Sequence, residues 1–135
     1  MPALWSYQVH ENDAFPVSCV GENRPENCPK VQGSDWGIPF SPIPPAPPSG
    51  SHQIIGGTKP GDILALDPDR NGTPESELWR VDTAHPFNTV NKVQAKCGPI
   101  MAPGPTVAHG MLFIGSAYST IAGQPGNVLL AFVAE

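Results

Sequence analysis

Gln53-Ile54-Ile55-Gly56-Gly57-Thr58-Lys59-Pro60-Gly61-Asp62-Ile63-Leu64-Ala65-Leu66-Asp67 decides the fold. Two short apolar runs flank Thr58-Lys59-Pro60-Gly61, where Pro fixes φ and Gly frees it, so the stretch predicts a β-hairpin. A second turn, Pro68-Asp69-Arg70-Asn71-Gly72, leads to a third strand, Glu77-Leu78-Trp79-Arg80-Val81. Asn71-Gly72-Thr73 has the form of a glycosylation sequon, but Asn-Gly is accounted for by a tight turn.

Toward the C-terminus the same rhythm returns. Gly104-Pro105-Thr106-Val107-Ala108 leads to a His109-Gly110 turn and a strand, Met111-Leu112-Phe113-Ile114-Gly115-Ser116. A Gly-rich loop over 117–126 and a last strand, Asn127-Val128-Leu129-Leu130-Ala131-Phe132-Val133, follow. Both hairpins read as apolar strand, Gly, loop, then Gly, a polar residue and an apolar strand ending Ala65-Leu66 or Ala131-Phe132. A repeated hairpin of this kind is the signature of a propeller blade.

Toward the N-terminus, Ala3-Leu4-Trp5-Ser6-Tyr7-Gln8-Val9 alternates apolar and polar residues, which predicts a strand. An irregular stretch runs over 10–51, with Pro42, Pro44, Pro45, Pro47 and Pro48 near its end. Those prolines remove backbone donors and predict a polyproline-like surface linker or edge rather than a ligand for an SH3-type domain.

Composition narrows the function classes. The 18 Pro and 14 Gly among 135 residues argue against an all-helical chain, since each interior Pro costs a helix about 3 kcal/mol. With 39% hydrophobic and 14% charged residues the chain is no charge-driven disordered tail. The net charge of −5 and the lack of a Lys/Arg cluster exclude a nucleic-acid partner. No apolar run is long enough for a membrane span. Met1-Pro2-Ala3-Leu4 has neither the positive region nor the apolar region of a signal peptide. The expectation is a loop-rich, all-β chain with a modest core.

Cys19 and Cys28 bracket a run of turn formers and leave three readings open: a loop disulfide, two free thiols, or a metal site of unusual spacing. Cys97 is left over and reads as a free thiol. His10, His52, His85 and His109 are scattered and form no triad-like or metal-like spacing.

Ala65-Leu66-Asp67 with Gly72 and Trp79 resembles the blade motif of the pyrroloquinoline quinone (PQQ) propellers, Ala-x-Asp-x-x-Thr-Gly-x-x-x-Trp, with about three extra residues between Gly and Trp. Trp5-Ser6-Tyr7-Gln8, Asn12-Asp13-Ala14-Phe15, Cys19, Cys28-Pro29, Asp35 and Phe40-Ser41-Pro42-Ile43 resemble one blade of the polyvinyl-alcohol-dehydrogenase-like quinoproteins. Val81-Asp82-Thr83-Ala84, Phe87-Asn88-Thr89-Val90-Asn91, Gly104-Pro105-Thr106-Val107-Ala108 and Pro125-Gly126-Asn127-Val128-Leu129 resemble the C-terminal blade of that family.

The resemblance implies a β-propeller of four-stranded antiparallel blades. Blades of roughly 40–50 residues would make this chain two to three of them, a partial propeller over 1–135 with the 10–51 loop and linker inside it. Closing a ring takes roughly four to eight blades, so the implied chain is part of a larger enzyme and inactive alone. The implied chemistry is PQQ-dependent oxidation of alcohols, polymeric ones such as polyvinyl alcohol included, in the periplasm or outside the cell. Lys59 stands where the family places a cation on the quinone oxygens, and Trp36 is the candidate to stack on the ring. Asp35 matches the first acid of the family's Asp-aromatic-Asp-aromatic segment. Gly37 stands where the second acid, the family's base, belongs. The family's calcium ligands come from other blades, so no metal residue is assigned here. The second reading is a non-catalytic propeller repeat that self-associates through open blade edges.

Overall fold

The computed structural model describes residues 2–39, 41–44, 52–100, 104–115 and 126–133. The expected Gly-rich loop and most of the Pro-rich linker lie outside those residues. The described chain is all-β, in three antiparallel sheets, with three single 3-10 turns at Val17–Cys19, Pro68–Arg70 and Pro74–Ser76. Two compact units emerge, one of Gln8–Gly37 and one of Met1–Tyr7 with Ile38–Glu135.

The larger unit is built as the two hairpins require. β1 (Ile54–Gly57), β2 (Asp62–Leu66) and β3 (Glu77–Asp82) form the first sheet in sequence order. Ile63, Leu64 and Ala65 are buried in succession. Side chains alternate between faces, so both faces of β2 are covered. A register shift between Ala65 and Leu66 accommodates an extra residue on β3 and sets Trp79 directly across from Ala65. Ile43 forms an isolated antiparallel bridge to Ile55 on the β1 edge. The expected four-stranded blade is thus three strands and one bridge, because Pro42 and Pro44 deny the flanking positions the N–H groups that a fourth strand needs.

β4 (Pro86–Asn88) and β5 (Gln94–Lys96) form a small second hairpin. β6 (Thr106–Ala108), β7 (Met111–Gly115) and β8 (Leu129–Val133) form the third sheet. Leu112 and Ile114 lie across from Phe132 and Leu130, all on the inner face. That face meets Ile55, Ile63 and Ala65 of the first sheet, and Cys97 and Ile100 complete a single apolar core. Trp79 packs against it. The blade motif is therefore a packing device: a small Ala opposite a large Trp.

The expected strand over 3–9 does not form. The alternation is real, since Trp5 and Tyr7 are half-buried while Leu4 and Ser6 are exposed. These side chains are held by other means. Tyr7 Oη donates to Glu77 Oε2 at 2.8 Å, and the chain at Ser6 lies against Gly72. A Cβ on Gly72 would sit 2.7 Å from the Ser6 carbonyl oxygen and 3.0 Å from Trp5 Cε3, and its φ is +72°. Both facts restrict the position to glycine.

The smaller unit contains the 3-10 turn Val17–Cys19 and a Cys19–Cys28 disulfide with Cα atoms 5.7 Å apart. Among the three readings of this pair, the structure therefore has the disulfide. Cys97 is free and buried.

Candidate functional site

Lys59 sits on a turn fixed from several sides. Gly61 N–H donates to the Thr58 carbonyl at 3.0 Å and Thr58 N–H to the Asp62 carbonyl at 2.8 Å. Asp62 N–H donates to Thr58 Oγ1 at 3.2 Å. The turn is tied to the end of β3 by Thr83, whose N–H and Oγ1 both donate to the Gly61 carbonyl, at 3.0 and 2.6 Å. Thr58 and Thr83 are fully buried. Gly61 has φ +119°, and a Cβ there would lie 3.3 Å from Thr83 Oγ1. Lys59 is thus a half-buried cation on a preorganised loop. Preorganisation is what electrostatic stabilisation of a developing anion demands.

The sequence motif pointed to Lys59 but not to its supports. A signal for Thr58 exists: a Thr just before a Pro-Gly turn, able to cap the N–H that follows the turn. Nothing local marks Thr83, which is 22 residues from Gly61.

The motif Asp67 shapes the next turn. Its side chain accepts from Asp69 N–H at 2.9 Å and from Arg70 Nε at 3.1 Å. Its own N–H donates to the Ser76 carbonyl at 2.7 Å. The extra residues between Gly72 and Trp79 are taken up by the 3-10 turn Pro74–Ser76, so the insertion leaves Trp79 in its packing position. Beside this turn, Arg80 Nη2 donates to Glu77 Oε2 at 2.8 Å and Nη1 reaches Asp62 Oδ2 at 3.5 Å. The Arg80 guanidinium, with help from the Tyr7 hydroxyl, holds the Glu77 carboxyl below its usual range. The bond to Glu77 in turn raises the Tyr7 phenol.

Asp35 and Trp36 lie in the smaller unit, Gln8–Gly37, and Lys59 in the larger, so the candidates are divided between the two compact units. Asp35 is half-buried. The Trp36 indole packs edge-on to the His10 ring, centroids 5.2 Å apart at 61°, and is 39% exposed. A Cβ on Gly37 would meet nothing within 4 Å, so the backbone there has room for an acidic side chain. Among the described residues no group of three or more His, Cys, Asp or Glu could hold a metal ion. Open clefts of about 380 Å³ on the β4–β5 hairpin and about 340 Å³ between Ile43–Pro44 and Pro105–Val107 include none of the three candidates.

Asn127, expected to open the last strand, lies just ahead of β8 and has a bonding role that the sequence does not mark. Its N–H donates to the Lys96 carbonyl at 3.1 Å and its Oδ1 accepts from Lys96 N–H at 2.9 Å. Its Nδ2 donates to the Gln94 carbonyl at 3.2 Å. One residue thereby serves as a partner strand for β5.

Comparison with known proteins gives one functional pointer. The chain is 34% identical over 86 residues to a polyvinyl alcohol dehydrogenase from a Pseudomonas species. The match covers 58% of this chain and 13% of that enzyme's length. It supports a distant dehydrogenase-like relationship. No family model and no solved structure matches the chain. No helix of the described residues is long and apolar enough to cross a membrane.

Proposed function

We propose that the chain is a blade-bearing part of a PQQ-dependent alcohol dehydrogenase and that it supplies Lys59 to the quinone site. The observation that carries this reading is the Lys59 turn, held rigid by Thr58 and Thr83 on a sheet with blade-motif packing. The similarity to a polyvinyl alcohol dehydrogenase supports it. In such an enzyme the alcohol becomes a carbonyl compound, and bound PQQ takes up the two electrons and two protons. Lys59 would offset negative charge arising on a quinone oxygen. Asp35 would be the acid nearest in kind to the family's base, and Trp36 a stacking surface.

Lys59 belongs to one compact unit and Asp35 and Trp36 to the other. We therefore derive no catalytic step within this chain and propose that turnover needs further blades. Polymeric alcohols are the proposed substrate class. The Cys19–Cys28 disulfide supports a periplasmic or extracellular setting.

A second reading, a non-catalytic propeller repeat that assembles with other copies, is favoured by the outer face of the third sheet. Met111, Phe113, Leu129, Ala131 and Val133 share that face by register, and Leu129 and Val133 are exposed. Apolar sheet faces of this kind invite association.

Supplying PQQ and calcium and following dye reduction with alcohols tests both readings. The first predicts quinone binding without turnover. Robust turnover by the chain alone would overturn the claim that it needs further blades. Absence of quinone binding, together with a discrete oligomer in light scattering, would favour the second reading.

A further inference from the structure

The unit Gln8–Gly37 has little buried surface and contains one covalent cross-link. It contains 30 residues, and chains below roughly 40 residues rarely bury enough surface to fold without a disulfide or metal. Its one buried residue is Cys19. Its one regular element is the three-residue turn Val17–Cys19, which ends at that cysteine. The two ends of the unit are joined by Gly33 N–H to the Ala14 carbonyl at 2.9 Å, by Gln32 Nε2 to the Pro16 carbonyl at 3.3 Å, and by the His10–Trp36 ring contact. The Gln32 bond is exposed, and a bond of that kind is individually weak. The larger unit differs in kind. Ile63, Leu112, Ile114 and Leu130 form a core shared by two sheets, and Cys97, 2% exposed, is buried inside it with no disulfide.

We propose that Cys19–Cys28 is a reduction-sensitive clasp. Cleavage of this bond by a dithiol releases the order of residues 8–37, including the Asp35–Trp36 segment, while the sheets of the larger unit stay folded. The exchange is balanced. The S–S bond breaks, Cys19 and Cys28 each gain one electron and one proton, and the dithiol becomes a cyclic disulfide. The smaller unit is then ordered in an oxidising compartment and loosened in a reducing one. The inference concerns the order of this unit and holds whether or not the chain binds a quinone.

Limited trypsin digestion of the intact chain, before and after dithiothreitol, tests it by mass spectrometry. The Lys30–Val31 bond lies in the smaller unit, and Arg80–Val81 is in β3. Reduction should speed cleavage after Lys30 by about tenfold or more and leave cleavage after Arg80 unchanged. Iodoacetamide added after reduction should label Cys19 and Cys28 but not Cys97. In a reduced sample that is not alkylated, reoxidation with oxidised glutathione should restore protection at Lys30. An unchanged rate at Lys30 after full reduction would overturn the proposal. So would equal acceleration at Arg80 with labelling of Cys97, which would show that the bond holds both units. A Cys19→Ala, Cys28→Ala variant should copy the reduced pattern without any reductant.

Discussion

Leu129 and Leu130 are adjacent and identical, yet the structure places them on opposite faces of β8. Leu130 is 9% exposed, lies across from Ile114 and belongs to the core. Leu129 is 69% exposed and lies across from Gly115. Replacing each by Ala removes the same atoms and the same intrinsic strand preference, so the difference reports burial alone. For Leu130→Ala the loss of three buried carbons is worth about 2.4 kcal/mol in transfer. The cavity left behind raises the total to roughly 3–4 kcal/mol. For Leu129→Ala about a third of the transfer value applies, so the expected cost is below ~1 kcal/mol. With m near 1–3 kcal/mol/M in urea, Leu130→Ala should lower the midpoint by about 1–4 M and Leu129→Ala by no more than about a third of that. Near-UV circular dichroism in urea follows tertiary packing and is the appropriate assay. Equal costs would refute the burial assignment. A reversed order would mean that β8 is out of register by one residue, since a one-residue slip exchanges the two faces.

Further outcomes concern turns, a buried hydroxyl and two titrating groups. Gly110→Ala, at φ +73° with open space around it, should cost about 1–2 kcal/mol from backbone strain. Gly72→Ala has the same strain plus the collision with Ser6, so urea titration should show a larger loss, roughly 3 kcal/mol. Thr83→Val removes a buried hydroxyl donor from the Gly61 carbonyl. It should cost about 1–3 kcal/mol, with faster amide exchange at Gly61. Glu77 has a folded-state pKa below its unfolded value, so its contribution is present above the unfolded carboxylate pKa and is lost as pH falls through the folded one. Tyr7 has a raised pKa, so its contribution is present below about pH 10 and is lost as pH rises through the folded value. Melting profiles against pH should lose Glu77's share of the acid-side dependence in Glu77→Gln and Tyr7's share of the alkaline-side dependence in Tyr7→Phe. Gly37→Asp, with open space at its Cβ, should shift stability by no more than about 0.5 kcal/mol in thermal melts.

The first and third sheets were legible because their hairpin turns are punctuated by Pro60-Gly61 and His109-Gly110 and the strands β2, β7 and β8 are largely apolar runs. The β4–β5 hairpin was not. Pro86-Phe87-Asn88 and Gln94-Ala95-Lys96 carry one core-facing residue each, too few for a periodic signal, and the pair is supported by Asn127 from 31 residues beyond Lys96. Residues 3–9 show the opposite failure: the alternation reports which side chains are buried, but burial against Gly72 and Glu77 needs no ladder. Of the candidate site, Lys59 could be read from its motif, whereas Thr83, which fixes its turn, is a long-range contact without a local pattern. Trp36 shows the limit of residue type as a guide, because its ring contact in the structure is with His10.

The claim that most needs testing is that the Lys59 turn contacts the quinone. Titrating the oxidised chain with PQQ while following its backbone amide resonances addresses it directly. Saturable shifts centred on Thr58–Gly61 should appear and should vanish in Lys59→Ala, with the rest of the spectrum unchanged. Shifts that persist in a folded Lys59→Ala variant, or no shifts in the native chain, would contradict it.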